Sequence, residues 1–332
     1  MRVSWDSVRR FFRLAGHIQL LPALESGEEL LVGGQAVIEG VMMRAPHSYC
    51  VAVRRADGSI LQEQTPIARP SEKHRIFRFP LLRGLGTLGQ AMSLGIKALR
   101  FSADAQLETA AQTSGQKPAK LTGAMIGLQV AFSILFFLFL YKLVPLVATT
   151  QLRARVPALE NSILFNLVDG LIRMGIFLVF LTVLARMKEI HRVFEYHGAE
   201  HKVVFNYEAR LGLSVERAQT FPTLHPRCGT SFLLVVMVIS MVLYALLPFE
   251  SFALRLASRI VLLPVIAGVS YEIIRFAARR QATLWALLVR PGLWLQRITT
   301  QPPSDEQVAV AIQALEGAMK LEQQQGGELV IA

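Results

Sequence analysis

Cysteine is nearly absent: Cys50 and Cys228 are the two in 332 residues. That excludes a disulfide framework and fits a reducing compartment. Charge is also sparse. Only 18% of residues are Asp, Glu, Lys or Arg, against the usual quarter, while 52% are hydrophobic, a balance that argues against disorder. No internal repeat of the kind that builds inverted-repeat transporters is visible, and no nucleic-acid-binding motif appears. A signal-peptide core is missing too. Residues 1–30 carry Arg2, Arg9, Arg10 and Arg13, but their apolar positions are interrupted by His17, Gln19 and Pro22. We expect an amphipathic segment without a cleaved signal; an organellar transit peptide would also be Arg-rich, but acidic residues follow immediately.

The chain has long apolar runs and a basic balance. The mean hydropathy is +0.41, and stretches near 123–148, 162–185, 230–249 and 252–274 each approach the 20 or so helical residues that cross a bilayer. We therefore expect an α-helical integral membrane protein with about four transmembrane helices over 121–280. The formal charge of +11 comes from 35 basic against 24 acidic residues, and its distribution sets an orientation. Arg186, Lys188, Arg192, Lys202, Arg210, Arg217 and Arg227 crowd the loop 186–229, and Arg275, Arg279 and Arg280 follow the last stretch, whereas the other two turns hold only Arg153 and Arg155. By the positive-inside rule both termini and the central loop are cytoplasmic.

The flanking regions read differently. Period-two patterns at Ala36–Met43, Tyr49–Arg54 and Ser59–Gln64, with Asp57-Gly58 as a hairpin signal, predict three short strands in a β-rich cytoplasmic unit over 31–79. Residues 80–120 read as a Gly-interrupted helix, Pro80 to Ala103, either interfacial or part of the soluble core, followed by a polar linker over 102–120. Over 281–332 we expect a broken interfacial segment, Thr283 to Ile298, and a capped amphipathic helix from Ser304 that packs on its own domain.

The sharpest chemical signal is His197-Gly198-Ala199-Glu200-His201. On a helix both imidazoles and the carboxylate between them share one face, the inverted zinc-hydrolase pattern His-x-x-Glu-His. Histidines there hold a divalent metal, most naturally Zn2+, and the glutamate serves as base. The plain alternative is a polar helix face with two solvated histidines. A second cluster, His225-Pro226-Arg227-Cys228, adds an imidazole and a thiol in the same loop. Four ligands, His197, His201, His225 and Cys228, would make a structural clip; three plus water, with Glu200 free, would be catalytic. Cys228 is equally readable as a small buried residue. If the second apolar stretch continued straight, His197 would lie about 17 Å past Arg186, so a bend is required, and Gly198 or the turn before Glu195 is its expected place. Glu208 shares the face of His201. Glu39 and Arg44 project from an apolar strand preceded by Gly33-Gly34. Glu39, Arg44, Glu208 and Arg227 are thus candidates for supporting the site or anchoring substrate, with an ordinary Glu39–Arg44 pair as the alternative.

Gly33 to Arg44, Tyr196 to Lys202, His225 to Thr230 and Pro291 to Thr300 together resemble the YqhQ-type bacterial membrane proteins, over roughly Val32 to Ala314. That family is of unknown function and is commonly labelled a predicted metal-dependent enzyme. The resemblance implies a multi-pass bacterial inner-membrane protein and no substrate.

Charges inside the apolar stretches, Asp169, Arg173, Arg255 and Arg259, require partners, since each costs at least about 2.5 kcal/mol unpaired in hydrocarbon. Two functions are carried forward. One is a zinc hydrolase acting on a membrane-associated peptide or a lipid-linked amide or ester. The other is a non-enzymatic membrane scaffold whose metal clip fixes a loop for a protein partner. A transporter is disfavoured by the missing repeat, and nucleic acid by basic residues dispersed around membrane boundaries.

Overall fold

The computed structural model describes residues 32–114, 122–225, 228–247, 249–279 and 292–324. It is mostly helical, with one small antiparallel sheet near the N-terminus. The strands are β1 Gly33–Val37, β2 Gly40–Arg44, β3 Ser48–Arg54 and β4 Ile60–Pro66, in that order across the sheet. The longer helices are α1 Leu82–Ser114, α2 Gly123–Arg153 and α3 Ser162–Leu184. There follow α4 Lys188–Glu208, α5 Val215–Gln219, α6 Gly229–Ala245, α7 Phe252–Val261 and α8 Leu263–Arg279. Residues 292–299 form α9, and Asp305–Gln324 form α10.

The sheet is covered on both faces, which is why β2 and β3 are buried almost throughout. Alternation sends Val41, Met43, Cys50 and Ala52 to one face, against Tyr196, Ala199 and Val203 of α4 and Val308, Ala311, Ala314 and Leu315 of α10. Met42, Tyr49, Val51 and Val53 face Leu94, Ala98 and Ala105 of α1. Cys50 is a packing residue here. Its thiol lies where Gly317 lets α10 come so close that a Cβ at 317 would sit 2.6 Å from the sulfur. Burial pushes this thiol up to about 12.

Four strands replace the expected three. The run Ala36–Met43 folds back at Ile38-Glu39, so that Val37 pairs with Gly40. Glu39 takes φ +54°, a conformation that favours Gly or Asn, and is held there by Arg192 and Tyr196. Asp57-Gly58 forms its hairpin as predicted, with Gly58 at φ +85°. The expected linker is also corrected. α1 runs on to Ser114 because no Gly or Pro interrupts 96–114, and its second half packs on the sheet through Ala98 and Ala105. The soluble-core alternative thus describes this part of the helix. Tail helix α10 packs on its own domain, as anticipated.

Among the described residues two helices, α2 and α3, are long and apolar enough to cross a membrane, and α7 with α8 makes a third if the bent pair is one span. α6 is a shorter apolar helix. The fourth expected stretch is therefore not continuous. It bends by 50° between Val261 and Leu263, just before Pro264, which has no N–H to extend the helix. Between the helices, Asp169 pairs with Arg173 and, at 3.1 Å, with Arg259. Arg173 also donates to Ser240 at 2.9 Å, and Lys142 to the Tyr244 hydroxyl at 3.3 Å. Arg255 instead lies 4.0 Å over the Phe165 ring and donates to the Phe249 carbonyl.

Candidate metal centre

The chain leaves α3 through a turn at Ala185–Met187 and re-enters helix at Lys188. This turn supplies the required bend. α4 runs unbroken through Gly198 and Glu195, so neither expected hinge is used. Gly198 serves close approach instead, since a Cβ there would collide with the Gln301 carbonyl. That contact brings the chain after α9 against α4, where Gln301 N–H donates to Phe194 O at 2.9 Å.

Helical spacing then puts His197, Glu200 and His201 on one face, and Cys228, at the N-terminus of α6, meets them. One ligand atom each from His197, His201 and Cys228 lies within 4.8 Å of the others. Cys228 Sγ is 3.3 Å from His197 Nε2, close to the roughly 3.5 Å between ligands across tetrahedral zinc. Both rings are anchored through their other nitrogen. His197 Nδ1 bonds the Thr299 carbonyl at 2.8 Å, and His201 Nδ1 the Thr223 carbonyl. A carbonyl only accepts, so each Nδ1 carries the proton and each Nε2 keeps a lone pair for the centre. The alternative of two solvated histidines does not describe this arrangement: His201 is 3% exposed. A His2Cys set leaves a fourth position open and suits zinc in donor type.

Electrostatics follow from burial. Glu200 is enclosed, and desolvation pushes its carboxyl up to about 7, with the Cys228 charge adding to the rise and His197 and the Gly34 N–H opposing it. Desolvation lowers His201. Burial alone would raise the Cys228 thiol, but the neighbouring His201 ring and the hydrogen bonds from Thr230 hold it below its usual value.

The other candidates fall elsewhere. His225 is adjacent, its ring centroid 5.5 Å from that of His201, but its Nε2 faces Glu208 at 3.5 Å. The four-ligand clip is therefore not assembled, and Glu208 serves as a partner to His225. Glu39 and Arg44 are neither paired with each other nor part of the cavity wall. Glu39 binds Arg192 at the β1–β2 turn, and Arg44 reaches Gln90 of α1. Arg227 lies outside the described residues.

Several residues escaped sequence reasoning. Thr223 and Thr299 act through backbone carbonyls, which side-chain patterns never reveal. Gln296 clamps His225 by accepting from its N–H and donating to its carbonyl, both at 2.8 Å. It stands in the Pro291–Thr300 run, the one available signal. The segment Thr283 to Ile298 was expected to lie at an interface, yet its Leu295 and Gln296 are fully buried, while its first part, 283–291, lies outside the described residues. Gly34 is explained by Glu200: a Cβ at Gly34 would stand 2.9 Å from Glu200 Cγ and 2.7 Å from Met42 O.

A cavity of about 600 Å³ opens at the centre, floored by Glu200, His197, His201 and Cys228. Gly33–Ala36 of β1 form one side, and Leu88, Met92, Phe194 and Phe232 give it apolar walls. The molecule thus belongs to a class that joins apolar helices to a sheet-backed His2Cys pocket. In particular, residues 79–321 match the family described as protein of unknown function (DUF1385), and the chain belongs to that family. It is 37% identical over 300 residues to the uncharacterized protein YqhQ of Bacillus subtilis (strain 168), covering 87% of this chain and 92% of the relative. No solved structure matches the chain.

Proposed function

We propose that this protein is a membrane-bound, zinc-dependent hydrolase working at the cytoplasmic surface of a bacterial inner membrane. The observation that carries the reading is the pair of carbonyl-anchored imidazoles, which leaves two Nε2 lone pairs and a thiol with a lowered pKa directed at one point beside a buried carboxylate. A divalent metal held there supplies Lewis acidity and lowers the pKa of water towards about 7. Glu200 takes the proton from the attacking water and returns it to the leaving group. Gly34 of β1 packs against the Glu200 side chain, where a Cβ would meet its Cγ at 2.9 Å, and the cavity around the carboxylate is lined mostly by apolar groups.

The membrane part of the reading rests on four apolar segments: α2, α3, α6 and the bent pair α7–α8. α6 has 17 residues, at the lower limit for a span. The basic loop 186–229 supports a topology with both termini on the cytoplasmic side, and Phe232 and Leu233 of α6 help wall the cavity, so substrate would arrive along the membrane surface.

The test is metal content in the purified full chain. Wild type is expected to carry one zinc per chain, and the double variant His197→Ala, His201→Ala less than a tenth of that; equal content would overturn the proposal. Glu200→Gln should keep the metal and lose hydrolysis of peptide or lipid-linked amide and ester substrates. A silent Glu200→Gln together with unfolding in Cys228→Ser would favour the scaffold function instead.

A further inference from the structure

β1 is an edge strand, and among the described residues no strand pairs with its outer side. Its register gives that side a direction. The two-residue turn makes Val37 and Gly40 the closing hydrogen-bonded pair, and bonded and non-bonded pairs alternate along an antiparallel ladder. Gln35 and Gly33 therefore exchange bonds with β2, whereas Gly34 and Ala36 turn their N–H and C=O groups outward. Gly34 stands against Glu200, where a Cβ would come within 2.9 Å of its Cγ, and Gly34 and Ala36 line the same cavity as His197, Glu200 and His201, so this edge borders the metal centre. The Gly34 carbonyl and both Ala36 backbone groups continue the same row along the cavity.

Such a row is matched by another peptide backbone, which offers donors and acceptors at the same repeat. A lipid ester has no such repeat. The flanking walls, Leu88 and Met92 on one side and Phe232 and Leu233 on another, suit apolar side chains leaving that backbone alternately. Resting on the hydrolase reading, we propose that the substrate is an extended peptide with apolar side chains, which adds to β1 as a fifth strand and so lays its scissile amide over Glu200. In the reaction the amide C–N bond breaks and a C–O bond forms from water. The proton that Glu200 removes from the water passes to the leaving nitrogen, giving a carboxyl and an amine.

The experiment measures binding apart from turnover, using zinc-loaded Glu200→Gln full chain in detergent. Two fluorescent decapeptides of alternating Leu and Ser serve as probes, one N-methylated at every odd residue and one at every even residue, beside the unmodified parent. Each methyl set blocks one edge of the peptide strand. Fluorescence anisotropy is expected to show binding of the parent, at least tenfold weaker binding of one methylated peptide, and little change for the other. Ala36→Pro removes an outward N–H that β2 does not use, a place where an edge strand tolerates proline. Added to Glu200→Gln, it should weaken the parent at least tenfold with zinc content and thermal unfolding unchanged. Equal binding of both methylated peptides, an unaltered affinity in Ala36→Pro, or no binding of the parent by metal-loaded protein would each overturn strand addition. A parent peptide that binds in this edge-dependent way but is not cleaved by wild type overturns the hydrolase reading alone.

Discussion

Two buried polar clusters stand in contrast: His197, His201, Glu200 and Cys228 around the cavity, and Asp169, Arg173 and Arg259 between the apolar helices. In the second, Asp169 and Arg259 are each 1% exposed and the charges turn to one another. None of them lines the cavity. In the first, backbone carbonyls hold the rear of each imidazole and leave the front directed at a shared open point. Burial alone therefore does not mark a site. What marks it is polar atoms whose anchoring leaves a lone pair unspent beside an open volume, and the charges between the apolar helices are read as a structural joint.

The comparison breaks first at Glu200. Glu200→Gln is expected to lower turnover by roughly 10²–10⁴-fold with zinc retained, while Asp169→Asn leaves turnover per folded molecule unchanged; steady-state rates normalised to metal content compare the two. Stability should show the reverse. Asp169→Asn leaves Arg173 and Arg259 without their carboxylate, a loss of about 3–5 kcal/mol in denaturant unfolding of the detergent-solubilised protein, and zinc content should not change.

A pH series separates the clusters next. In the metal-free protein Glu200 titrates near 7 rather than at the usual 4.5, so the folded state binds more protons than the unfolded chain between those values. Stability should fall by about 3 kcal/mol as pH rises from 4.5 to 7 and level off above, and Glu200→Gln should flatten that slope. A slope unchanged in the variant would place the titrating group elsewhere. The smallest expected effect is at Gly34→Ala. The added Cβ presses on Glu200 Cγ and the Met42 carbonyl, which should cost about 1–3 kcal/mol of stability and reduce turnover, with zinc content as the control.

Much of the outline was legible. Alternation over Tyr49–Arg54 and the Asp57-Gly58 turn identified a hairpin because those signals are local. The first strand was misread as one piece because its turn uses Glu39 rather than Gly or Asn, and what stabilises Glu39 there is Arg192, 153 residues away. The extent of α1 was misjudged by composition: Ala, Gln and Thr over 102–114 suggest a linker, yet they form helix when one side is pressed on a sheet. At the site, the His197–His201 spacing was readable from helical geometry. The exclusion of His225 was not, because Gln296 fixes its backbone from another element and Glu208 faces its ring.

By itself the sequence determined the periodicities: which stretches are apolar enough to be helices among helices, which alternate as strands, and that two imidazoles and a carboxylate share one helical face. Those follow from neighbours along the chain. The tertiary structure alone decided which cysteine faces the histidines, which nitrogen of each ring is protonated, and that the edge of β1 borders Glu200. Each of these depends on groups brought together across tens to hundreds of residues, and directional hydrogen bonding to a distant backbone leaves no pattern in the order of side chains.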